Sequence, residues 1–437
     1  MVEKNRAEAM NKKLTIKIKY RTYREWLLWL LVVMPFSFGF LNEFLGLPWA
    51  IRYVLDAAWC ILLLERILVN RKRLTSLGAW IWLFLIYTFL VYLIQFQSPL
   101  YYLWGVRNNF RFYVAFFVFA AYLKPRDAID YWKLLEKLFW LNIAVCVYQF
   151  AALGMRGDYL GGLFGAQRGS NAYTNIFFSI IVAKSLVFYL QKQEKLGICL
   201  AKCFTALVVA AMAELKFFYI EFLLLVILAV LITDFAQRKF VVIAVGVLGA
   251  ILCVALLISL FPRFGGWFYL ENILEAAMSN KGYTSTGDLN RLNAIGRIQE
   301  LWLDHIWTRM FGLGLGNCDT ASYAFLNTPF FEANGDMHYT WISYAMMYLE
   351  TGWIGLAFYW GFFVLVYAKL HAMEKHSDGL HRSYCMISKM IAIMCVLISI
   401  YNASLRAEAG YMAYFVLAIP FACREKREQK WTRKKES

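Results

Sequence analysis

The sequence predicts an all-α, polytopic membrane helical bundle with about twelve spans, and three observations predict it. Hydrophobic residues make up 61% of the 437 and charged residues only 17%, whereas a soluble chain carries roughly a quarter charged residues to stay hydrated. Apolar runs close to the ~20 residues that cross a bilayer recur along the chain, each closed by a cluster of charge. Lysine and arginine alternate in abundance from loop to loop, as topology demands of a membrane protein.

The spans fall at about 26–42, 47–64, 77–96, 110–123, 132–153, 172–190, 197–214, 217–233, 240–261, 353–370, 385–403 and 410–423. The fourth and twelfth are short, and the second carries Arg52 and Asp56. A basic segment (1–25) precedes the first span with no small-residue cleavage site after it, so both it and the basic tail (424–437) are expected to be cytoplasmic. With alternating spans, the inside loops hold 29 of the 45 lysines and arginines and the outside segments 11. Most of the +16 net charge is therefore topology, with lipid headgroups as its partner. The basic residues are spread over seven loops instead of one face, which excludes a nucleic-acid-binding class.

The chain reads as a single membrane domain (1–437) with one long extracytoplasmic segment, 262–352. Loops of that length inside a compact protein are usually functional. Within it, "LNAIGRIQELWLDHIWTRM" repeats apolar residues at three and four, predicting a surface helix from Leu289 to Met310 capped by Asp288. "FGLGLGN" then reads as a tight backbone turn, because neither phosphate-loop spacing nor a strand-turn-helix unit surrounds Gly312, Gly314 and Gly316. Nine cysteines fall singly, eight of them in or beside spans and Cys318 alone in an outside loop. That pattern supports neither a disulfide framework nor a zinc site, and the loops carry no convincing carboxylate cluster for magnesium.

Cation choice differs between the faces. Inside there are 17 lysines and 12 arginines, outside nine arginines and only Lys216 and Lys281. Guanidinium offers a planar fork that matches phosphate and keeps its charge when partly dehydrated, so the bias suits a pyrophosphate held at a membrane surface. Arg156, Arg263, Arg309 and Arg406 are assigned to headgroup snorkelling or to pairing with loop acids. The remainder are candidate ligands: Arg107 and Arg111 at i, i+4, Arg168 among small residues before a span, and Arg291 and Arg297 in the surface helix. In "AELKFFYIE", Glu214, Lys216 and Glu221 interrupt a long apolar stretch, reading either as a pair at a tight hairpin or as groups facing a cavity.

Five histidines are present. His371, His376 and His381 fall in an inside loop, and His305 beside Asp304 on a solvated helix face. His338, at the head of "HYTWISYAMMYLETGWIGL", is the outside histidine without a competing assignment. The stretch from His338 to Glu350 is about 18 Å as a helix, too short to span, with Gly352 and Gly355 marking the turn into the next span.

An outside loop with "GR", then "FGLGLGN", then a histidine and "YLETGWIGL" resembles the O-antigen ligase and O-antigen or capsular polysaccharide polymerase superfamily. The family pattern matches Arg297 (or Arg291), Gly312 to Gly316, His338 and Tyr348 to Gly355, with Tyr339 standing where asparagine is common. "GLFGAQRGSNAYTN" and "ELK" look like further family features. The resemblance implies a metal-independent, cofactor-free glycosyltransferase at the outer face of a bacterial plasma membrane. Its donor would be a polyprenyl-pyrophosphate-linked oligosaccharide, its acceptor another glycan, and flippase and chain-length regulator proteins its neighbours. In that reading His338 is the base for the acceptor hydroxyl. Arg297, Arg291, Arg107, Arg111, Arg168 and Lys216 hold the pyrophosphate, and Glu350, Gly314 and Gly316 support the site. General similarity favours polymerase over ligase. A non-enzymatic flippase or transporter is the alternative from another class, although the chain lacks the paired halves common in transporters.

Overall fold

A computed structural model describes residues 22–69, 75–233, 236–260 and 288–435 apart from Ser322, with isolated positions between 261 and 287. The basic segment 1–21, Arg263, Lys281 and most of the first part of the long loop lie outside the described residues. Of the described residues 81% are helical and none is in a strand, and the chain is a helical membrane protein. Among the described residues six helices are long and apolar enough to cross a membrane.

Local chemistry sets the breaks. The first apolar run is two helices, α1 (Tyr23–Val33) and α2 (Phe38–Leu45), parted at Met34–Phe36, where Pro35 removes a backbone donor. Thr22 and Glu25 form a capping box at the start of α1, and Gly46 in the left-handed region ends α2. Then follow α3 (Tyr53–Val69), α4 (Ser76–Ile94), α5 (Pro99–Tyr122) and α6 (Pro125–Ala151), the last two opening on proline, whose missing N–H costs nothing there. Four further helices are α7 (Asn171–Leu190), α8 (Leu196–Met212), α9 (Lys216–Ile232) and α10 (Ala236–Leu260). After the long loop come α14 (Ser343–Glu374), α15 (Gly379–Tyr401) and α16 (Gly410–Lys435), the loop itself carrying α11 (Ala294–Leu301), α12 (Ile306–Phe311) and α13 (Pro329–Asn334). Helices α5, α7, α14, α15 and α16 form the centre, where Tyr113 meets Phe362 and Tyr414 edge to face, Phe116 meets Phe362 the same way, and Phe362 stacks on Tyr414.

Two sequence expectations change here. The single surface helix from Leu289 to Met310 is instead α11 and α12, broken at Trp302–His305, and Asn293 rather than Asp288 occupies the cap position. The break lets Leu303 turn fully inward while its carbonyl accepts from Arg309 Nε at 2.9 Å, a contact one straight helix would forbid. The expected short helix from His338 to Glu350 is also different. His338 lies between two single 3-10 turns and α14 starts only at Ser343. The turn into the following span is a kink at Gly352 (φ 63°, ψ −167°), whereas Gly355 continues the helix. At Gly352 a side chain would collide with the Met310 carbonyl, so the kink and the packing of α12 require the same glycine.

Candidate functional site

The long loop folds over one end of the bundle, and "FGLGLGN" anchors it. Leu313 and Gly314 donate backbone N–H groups to the carbonyls of Leu349 and Glu350, both at 2.9 Å. Gln95 and Gln97 side chains donate to the carbonyls of Gly312 and Leu315 at 3.1 and 2.6 Å. Gly316 has φ +81° and packs on Gly105 of α5, where an added Cβ would strike the Tyr101 carbonyl. Gly312 and Gly316 therefore serve backbone against backbone contact, Gly314 makes room for the Gln97 side chain, and the turn is buried. The Glu350 carboxylate closes it by accepting the Cys318 N–H at 3.2 Å.

A network of arginines and acids lies beneath that turn. Arg107 donates Nε and Nη2 to Asp56 at 2.9 and 2.6 Å. Arg111, 4% exposed, pairs with Glu408 at 3.3 Å and donates to the Arg406 carbonyl at 2.9 Å. Arg406 in turn donates to Asp319 at 2.9 Å, and Asn108 donates to the same Asp319 oxygen at 2.8 Å. Burial pulls the Glu408 carboxyl upward, but Arg111, Arg52 and Arg107 outweigh it and hold it below the usual carboxylate range. The charges of Arg107 and Arg111 are thus matched by acids of the chain itself. Arg406, assigned from the sequence to snorkelling or loop-acid pairing, pairs with a loop acid at the centre of this network.

His338 stands beside the network in a left-handed backbone conformation (φ 53°, ψ 25°). Its imidazole stacks on Trp341, ring centroids 3.8 Å apart, and Arg168 rests over the same indole at 5.3 Å. Nδ1 of His338 is buried and lies 3.8 Å from Oδ2 of Asp288, itself 4% exposed. Leu289 N–H donates to the Met337 carbonyl at 3.1 Å, which fixes Asp288 behind the ring. Two residues on, Arg291 covers Tyr401, which stacks on Phe217 next to Lys216. Tyr339 is fully buried, its hydroxyl held protonated by burial and by the nearby Cys318 and Glu350, and it donates to the Cys318 carbonyl at 2.8 Å. This bond joins the histidine turn to the acid network through Asp319. Burial likewise pushes the Cys318 thiol well above its ordinary range and leaves it inert.

Of the residues singled out in the sequence, the structure brings His338 and Arg168 together on Trp341 and lays Arg291 over Tyr401, which stacks on Phe217, the residue after Lys216. It sets Arg107 and Arg111 deeper, in ion pairs, and Arg297 at the surface with Glu300 at 2.9 Å. His305 is exposed beside Asp304, as its sequence neighbours suggest. Glu214 occupies a left-handed turn between α8 and α9 with its carboxylate against Gly157, and the Glu221 carboxylate is held by Asn175 and Ser179. Asp288, Trp341, Asp319 and Glu408 were not singled out as site residues by sequence reasoning. The surplus of outside arginine was itself a signal that buried acids should be sought nearby. Among the described residues no group of three or more His, Cys, Asp or Glu is arranged to hold a metal. The sequence matches no family model and no curated protein.

Proposed function

We propose that the chain is an integral-membrane glycosyltransferase that joins polyprenyl-pyrophosphate-linked oligosaccharide repeats at the outer face of a bacterial plasma membrane. In this reading it has about twelve spans, both termini are cytoplasmic, and the loop end faces outward. The observation that carries it is His338 stacked on Trp341 with Arg168 on the same ring and buried Asp288 behind Nδ1.

The arrangement suits proton abstraction beside an anionic leaving group. Imidazole is the side chain whose ordinary titration lies nearest neutral pH. With Nδ1 facing Asp288, Nε2 is the nitrogen that takes the acceptor hydroxyl proton, and the carboxylate stabilises the resulting imidazolium. The hydroxyl oxygen attacks C1 of the donor sugar, the C1–O bond to phosphate breaks, and the electron pair leaves with the pyrophosphate. Arg168 and Arg291, with Lys216, balance the charge that grows there. Arg107 and Arg111, engaged with Asp56 and Glu408, shape the floor of the site and carry less of that load. Trp341 offers a sugar ring an apolar face.

Purified protein in lipid nanodiscs, given preformed lipid-linked repeats and no transmembrane gradient, should lengthen the glycan. Absence of any product, together with gradient-dependent movement of the lipid across the bilayer, would mean a flippase. Transfer of a finished chain to a different acceptor, with no lengthening, would mean a ligase using the same chemistry.

A further inference from the structure

Away from the loop end, α7, α8, α9 and α10 enclose an apolar cavity of about 270 Å³. Its floor is buried, with Cys199, Leu207 and Val226 at most 3% exposed, and its rim is open, with Phe204, Leu248 and Leu252 more than half exposed. It is therefore a groove on the outside of the bundle. Gly249 creates part of the space, because a Cβ there would meet only a Leu207 methyl at 3.8 Å. Apolar voids stay dry and unfilled space forfeits dispersion contacts, so a groove facing hydrocarbon is stabilised by an apolar chain lying in it.

The groove has a polar end. Arg238 precedes Val241, Val242, Val245, Gly249 and Leu252 at helical spacings that put it on the groove-lining face of α10. Its guanidinium donates to the Tyr189 carbonyl at 2.7 Å and covers the Tyr189 ring at 5.0 Å, and Tyr189 lines the groove. From Val241 to Leu252 the helix rises about 16 Å, close to half of a ~30 Å hydrocarbon core. Length, lining and the fixed cation together describe one leaflet's depth of chain ending at a positively charged headgroup position.

We propose that this groove binds one acyl chain of an anionic glycerophospholipid whose phosphate lies against Arg238. The site does not depend on the catalytic reading and would stand if that reading failed. The test is native mass spectrometry of the full chain exchanged into equimolar phosphatidylglycerol and phosphatidylcholine. Wild type should retain one phosphatidylglycerol in preference. Gly249→Leu, which fills the groove, should lower retention at least about tenfold, and Leu252→Trp at the rim gives the same reading should the first variant not fold. Arg238→Gln should keep chain binding but reduce the preference for phosphatidylglycerol about fivefold. Equal retention of the two lipids, or undiminished retention in a filled groove, would mean annular lipid only and overturn the proposal.

Discussion

The two ends of the bundle are both charged in their interiors, and they use different cations for different purposes. At the loop end the buried pairs are Arg107 with Asp56, Arg111 with Glu408 and Arg406 with Asp319. At the opposite end Lys184 and Lys202 each bridge Glu136 and Glu194, and Lys389 pairs with Glu374. The lysine cluster is closed: two ammonium groups and two carboxylates satisfy one another and clamp α6, α7 and α8 at a hairpin. The arginine end is extended, because a planar fork reaches a carboxylate and a backbone carbonyl together, as Arg111 does. It also lays guanidinium on indole and phenol faces, at Arg168 and Arg291. One end holds helices together, and the other is where the proposed reaction would take place.

That contrast can be broken. Arg111→Met leaves the buried Glu408 carboxylate without its ion-pair partner and should cost about 3–5 kcal/mol of stability, whereas Lys202→Met leaves Glu136 and Glu194 sharing Lys184 and should cost less, both read as thermal inactivation in nanodiscs. Only Arg111→Met should also lower turnover per folded molecule; equal turnover losses in both would erase the distinction between the ends. Acid should act on the loop end in the same direction. Glu408 is held below its ordinary pKa, so its contribution is present above the ordinary carboxylate range and lost as pH falls through the lowered value. A stability profile in which Arg111→Met loses its acid-side dependence would sharpen the assignment.

Gly316→Ala should cost about 3 kcal/mol, through positive φ and collision with the Tyr101 carbonyl, and should detach the loop from α5. Limited proteolysis of the loop reads this directly. Arg168→Lys keeps the charge but loses the fork and its indole contact, so turnover should fall about tenfold with stability unchanged. The smallest effect belongs to Arg297→Gln, an exposed helix pair worth less than about 1 kcal/mol. If that variant instead matches Arg168→Lys in turnover, the pyrophosphate site extends to the surface of α11.

Much of the architecture was legible because it follows from hydropathy and punctuation. Each of the twelve apolar runs falls on a helix, the first of them broken at Pro35. The turn at "FGLGLGN" was readable as backbone geometry from glycine spacing, although its role as a buried seam between α5 and α14 needed three dimensions. What escaped was long-range pairing. Arg406 meets Asp319 across 87 residues and Arg111 meets Glu408 across 297, separations over which spacing carries no signal. The broken helix at Trp302 escaped for a related reason: inward Leu303 satisfies a period that runs equally well through a straight helix. Asp288 was visible only as a cap candidate, because its partner is set by the pairing of Leu289 with Met337 and not by its own neighbours.

We assign the base of the proposed reaction to His338 at the loop end. Measuring extension of purified lipid-linked repeats by His338→Ala, in nanodiscs and with folding checked by thermal inactivation, tests it most directly. His338→Ala should lose at least about a hundredfold in extension with stability within about 1 kcal/mol of wild type. Near wild-type extension by the folded variant would contradict it.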